Sequence, residues 1–137
     1  MKKLLLPLRD DRGAAVVEMA IALPLLVLFL WGIFQLGVAF QASAGMQHAL
    51  GEGARLATVC QNPTAAGVCS TATNEQIEAL INDKVFGTGI GNFEVGEVVE
   101  GADYKELSVT FTMPTNFLFF DGPNINLTQT KRVYVAS

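Results

Sequence analysis

Few side chains in this 137-residue sequence could carry covalent or proton chemistry, and their spacing argues against catalysis. His48 is the single histidine, with no acid cluster beside it, whereas a metal site needs three or four converging ligands. No nucleophile, base and orienting acid stand at readable spacing, so neither an enzyme nor a cofactor or small-molecule substrate is expected. Cys60 and Cys69 are the two cysteines, with Gln61-Asn62-Pro63-Thr64-Ala65-Ala66-Gly67-Val68 between them. Two thiols cannot close a zinc site, and the spacing is not that of a C-x-x-C redox motif. In an exported segment the pair reads as a disulfide, whose small ring would contribute roughly 2.5 to 3 kcal/mol. The remaining oddity is Glu18, the one formal charge between Arg12 and Glu52.

The element that holds Glu18 explains the composition. Residues 19–40 are an uninterrupted apolar run, longer than the roughly 18 residues that mark a membrane helix. In lipid every backbone group must be satisfied internally, and one helix does that in a single pass. This run lies behind the 50% hydrophobic and 16% charged content. The net charge of −4 is uneven. Lys2, Lys3, Arg9 and Arg12 outweigh Asp10 and Asp11 at the start, and the remainder is acidic. Positive flanks stay cytoplasmic, so the N-terminus should face inward, with the remainder exported and the bilayer as first partner. No basic patch suggests nucleic acid. The run is too long for the apolar core of a secretory signal.

The helix should continue past Phe40 to about Thr58 and reach roughly 65 Å, about twice a bilayer core. Pro24 removes one helical hydrogen bond and is either a tolerated membrane proline or a point of flexibility. Gly45, Ala49, Gly53 and Ala57 recur every four residues, a small-residue stripe that admits a close neighbour. The protein's own head is the first claimant, with Met46, Leu50, Ala54 and Leu56 beside the stripe. Glu52 and Arg55 are spaced for a surface pair.

Arg12-Gly13, Ala14, Glu18 and the long apolar helix together resemble type IV pilins and pseudopilins. Val17-Glu18-Met19-Ala20, Leu23-Pro24-Leu25-Leu26, Gly32, Gly37 and Glu52-Gly53-Ala54-Arg55 resemble, more narrowly, the TadE-like family of tight-adherence pilus proteins. Met19 stands where Phe is usual in that family, and Gln35 where an acid is common. The resemblance implies a cytoplasmic leader, residues 1–13, cut by a prepilin peptidase between Gly13 and Ala14. It implies a minor pilin or pseudopilin in the inner membrane that acts in pilus assembly and surface adhesion. Its partners would be other pilin subunits and the inner-membrane assembly machinery. Glu18 would then become the fifth residue and pair with the Ala14 amine of a neighbour, fixing register in a water-poor filament core. A local reading also exists: a first-turn carboxylate meets the helix dipole favourably, by about 0.3 to 1 kcal/mol. The alternative to the pilin reading is an uncleaved single-pass anchor whose head is a periplasmic binding module.

Residues 59–137 should form a small disulfide-tied α+β head. Thr73-Asn74-Glu75-Gln76 opens a short helix with a capping box; Ile77, Leu80, Ile81 and Val85 share a face and Gly87 ends it. Three strands follow: Phe93 to Glu100 with a bend at Gly96, Lys105 to Met113, and Asn124 to Val135. Leu107, Val109, Phe111 and Met113 alternate inward in the clearest of them. The expected architecture is a pilin-like ladle, a long helix over an antiparallel sheet of about three strands. Phe117, Phe119 and Phe120 cannot all face inward from a regular strand. They either tuck into the core through an irregular loop or form a contact patch for another subunit or the outer leaflet.

Overall fold

The computed structural model describes residues 11–63, 69–87, 89–116 and 121–135. Helix α1 spans Asp11–Thr58 and holds its helical assignment through Pro24. A two-residue ribbon follows, β1 (Asn62–Pro63) against β2 (Cys69–Ser70), and then helix α2 (Asn74–Lys84). The main sheet is built from β3 (Asn92–Val95), β4 (Val99–Glu100), β5 (Tyr104–Met113) and β6 (Ile125–Tyr134). All its pairings are antiparallel, so the architecture is α+β with a long N-terminal helix, as expected.

Central strand β5 organises the sheet. On one side β6 pairs with it over ten residues, from Tyr104↔Tyr134 to Met113↔Ile125. On the other side β3 and β4 lie end to end, β3 opposite residues 109–112 and β4 opposite 105–106. The stretch read as one bent strand is thus two. The Gly96 N–H still donates to the Ser108 carbonyl at 3.0 Å, but the Val98 N–H turns away to the Glu78 carboxylate at 2.8 Å. A Cβ at Gly96 would meet the Ser108 hydroxyl, which would have to rotate aside.

The alternation in β5 determines the core. Leu107, Val109, Phe111 and Met113 are all at most 1% exposed, facing Ile77 and Ile81 of α2 and Val38, Ala42, Met46, Ala49 and Leu50 of α1. The small-residue stripe is taken up by the head, as anticipated. Ala49 and Ala57 are fully buried, a Cβ on Gly53 would meet Ile81 Cγ1 at 2.6 Å, and one on Gly45 would enter the Phe86 carbonyl. On the inner face of β6, the Gln129 amide donates to Ser43 Oγ of α1 at 2.8 Å, which accounts for a polar residue there.

The capping box forms, with the Gln76 N–H donating to Thr73 Oγ1 and the Thr73 N–H to Gln76 Oε1. The helix ends earlier than expected. Val85 caps it in extended conformation, and Gly87 instead lets the Phe93 ring approach.

Candidate functional site

The surface that distinguishes this fold from a soluble α+β domain is the first half of α1. Leu23, Leu25, Leu26, Phe29 and Leu30 are all more than half exposed, in a helix long and apolar enough to cross a membrane. Exposure of that much apolar side chain in water would be strongly unfavourable, at about 25 cal/mol per Å². Lipid or another subunit is the environment these residues require.

Glu18 lies on this bare segment, exposed, and among the described residues it forms no ion pair. Gly13 has nothing within 4 Å of where a Cβ would stand.

The head first touches the helix at a collar. Trp31 Nε1 donates to the Asn116 carbonyl at 2.7 Å, and the Gln35 amide donates to the same oxygen at 3.0 Å. An apolar cleft of about 220 Å³ opens there, lined by Trp31, Phe34, Val38, Ile90, Met113 and Pro114. Thr115 and Asn116 are tied to residues 121–123 by the Asn116↔Asp121 bridge, the Gly122 N–H to Thr115 carbonyl bond at 2.6 Å, and the Thr115 hydroxyl donating to the Pro123 carbonyl. The glutamine at position 35 now has a reason: an amide can donate to a carbonyl and a carboxylate cannot. Sequence reasoning missed this collar. Its one legible sign was a tryptophan, a residue favoured at membrane interfaces, followed one turn later by an amide.

The other predicted residues are scattered. Phe117, Phe119 and Phe120 lie outside the described residues, as does the side chain of Cys69. The ribbon register Pro63↔Cys69, with the Gln61 N–H donating to the Ser70 carbonyl at 3.0 Å, brings the backbone on either side of the cysteines together. His48 is exposed and edge-on to Phe86, with ring centroids 5.9 Å apart. The described residues offer no group of acids, cysteines and histidine that could hold a metal.

Glu52 and Arg55 do not form the expected pair. Among the described residues, three ion pairs mark the head. Lys105 bonds Glu100 at 3.0 Å and the Asn74 side chain at 2.8 Å, and it holds the Glu100 carboxyl below its ordinary range, with Asn74 assisting. Arg132 bonds Glu106 at 2.8 Å and stacks 4.3 Å over the Tyr104 ring. Lys84 bonds Asp83 at 2.9 Å, which raises the lysine.

The bare segment, the collar and the small-residue stripe fall within one stretch that has known relatives. Residues 13–55 match the TadE-like protein family. That is about a third of the chain, beginning at Gly13 and ending on Arg55. No curated protein and no solved structure matches the chain. The TadE-like segment takes in Glu18, Trp31 and Gln35 as well as Gly45 and Gly53, which the head packs against. The head strands lie beyond it. The match associates the protein with tight-adherence pili, and its apolar N-terminal helix fits a single-pass anchor in such a family.

Proposed function

We propose that this protein is a minor pilin or pseudopilin of a tight-adherence pilus system, processed by a prepilin peptidase between Gly13 and Ala14. It works in pilus assembly and surface adhesion, with no chemistry of its own. The observation that carries the reading is the TadE-like match over residues 13–55 on a helix whose first half is exposed and apolar apart from Glu18. A carboxylate at the bilayer centre costs about 2.5 to 3.5 kcal/mol, less at the interface, so a partner that answers the charge is favoured. In a stacked assembly that partner is the Ala14 amine of a neighbour. The pair sets register, because a mis-stacked subunit would bury an unpaired charge.

In this reading the anchor lies in the inner membrane with the N-terminus cytoplasmic. Other pilin subunits and the assembly machinery are its partners. The head is exported, and a Cys60–Cys69 disulfide closes the β1–β2 ribbon. Loss of residues 1–13 should be seen by mass spectrometry of membrane-extracted protein, and Gly13→Leu should abolish it. Glu18→Ala should insert and be cleaved normally yet fail to enter pili; normal uptake of that variant would refute the register role.

A second reading, an uncleaved anchor with a periplasmic binding head, draws on the continuity of α1 across Gly13–Ala14. Retention of residues 1–13 in functional protein would favour it.

A further inference from the structure

The two edges of the head sheet carry opposite charge at one height, and the geometry points to side-by-side association of copies in the membrane, edge to edge. β6 pairs with β5 and, among the described residues, with no other strand, so its outer backbone edge is unpaired. Free edges of this length are templates for pairing. Of the four basic residues in 59–137, two lie on β6, which has no acid. Arg132 is held by Glu106, whereas Lys131 is exposed and forms no ion pair among the described residues. It lines a largely polar cleft of about 290 Å³ beside α1, with Gln47, Leu50, Gln129 and Thr130. The opposite edge, β3 and β4, carries Glu94, Glu97 and Glu100; Glu94 and Glu97 are exposed and likewise unpaired among the described residues.

Height makes the complementarity specific. Lys131 lies opposite Leu107 in β5. Gly96 bonds to Ser108 and Val99 lies opposite Glu106, which places Glu97 at the Leu107 level as well. Copies anchored by the same helix share one depth and one orientation, so a lateral contact joins groups of equal height. Lys131 of one copy therefore meets Glu97 of the next. A contact between two different patches is heterologous and propagates into rows, not closed pairs. The occupant is a second copy, which offers the Glu97 carboxylate at the level of Lys131.

This inference rests on α1 being a membrane anchor. The test uses the full chain in phosphatidylcholine vesicles, with ¹⁴N and ¹⁵N copies mixed and a zero-length carbodiimide joining carboxylates to amines in contact. A mixed-isotope peptide linking Lys131 to Glu97 is expected; mixed-isotope links only elsewhere, or none, overturn the proposal. Energy transfer between fluorescently labelled copies should fall about three- to fivefold in Lys131→Glu and in Glu97→Lys, the worth of one partly exposed pair, and return in the double exchange. Singles that fall without recovery in the double exchange would also overturn it. Vesicle flotation separates the two failures: protein that does not float refutes the anchor, and protein that floats without the link refutes the edge contact alone.

Discussion

The two halves of α1 use the same residue types for opposite ends. Gly32 and Gly37 have nothing within 4 Å of a would-be Cβ, whereas Gly45 and Gly53 are pressed against Phe86 and Ile81. Leu23, Leu25, Leu26 and Leu30 are all more than half exposed, whereas Leu50 is 2% exposed. A helix does not announce which of its faces the same chain will cover. The difference arises from what folds back onto it: β5 and α2 cover the stretch from Val38 to Ala57, and nothing described reaches above Trp31 toward the N-terminus. The covered half spends its small residues on the head. The bare half keeps them for lipid or another subunit.

The sharpest way to break this contrast is to truncate one large side chain in each half. Phe111→Ala removes a 1% exposed ring in contact with Phe93, and should cost the head about 3 to 5 kcal/mol. For a head of this size that lowers the thermal midpoint by more than about 12 °C in detergent. Leu25→Ala should leave that midpoint unmoved; a comparable drop would mean that the bare half is packed against the head after all.

Glycines test the same boundary from the opposite direction. Gly45→Val drives a side chain into the Phe86 backbone, which cannot swing aside as a side-chain tip could, and overpacking costs about 1 to 3 kcal/mol or more. Gly32→Val should be silent in head stability measured by chemical denaturation. If both glycines behave alike, the stripe at Gly45, Ala49, Gly53 and Ala57 is not the seat of the head.

Much of this division was legible beforehand. The apolar run from Met19 to Phe40 has the length of a membrane-crossing helix, and the strict alternation from Leu107 to Met113 has the period of a half-buried strand. The capping box at Thr73 and Gln76 is local chemistry and formed as read. What escaped was non-local. Splitting of the third lane into β3 and β4 depends on Glu78, twenty residues upstream, capturing the Val98 N–H. The collar depends on a carbonyl 81 residues beyond Gln35. The β1–β2 ribbon is two residues a side, too short for any periodicity.

The collar is where the halves meet, and Gln35→Glu probes it. A carboxylate offers no donor to the Asn116 oxygen, so one of two bonds is lost, worth about 1 kcal/mol. Global stability should hardly change, while hydrogen exchange around Asn116 quickens and Trp31 retains its bond. Unaltered exchange would show that Trp31 alone fastens the collar.

The smallest effect contrasts two acids, one in each region. Glu100 is answered inside the chain by Lys105, whereas Glu18 has no cation among the described residues. Lys105 keeps the folded Glu100 pKa below its unfolded value, so in that window the unfolded chain binds the extra proton and stability rises with pH. Its contribution is complete above the ordinary glutamate pKa, about 4.3, and fades as pH falls through the depressed folded value. Because Glu100 is 57% exposed the effect is slight and screened by salt. Glu100→Gln should therefore flatten the acid limb of the stability curve modestly at low ionic strength and not at all in molar salt. Glu18→Gln should leave the head's acid limb unchanged, since Glu18 is exposed on the bare half of α1 and forms no ion pair with the head among the described residues. An acid limb that responds to Glu18 would place a cation of this same chain beside it and remove the need for a neighbour.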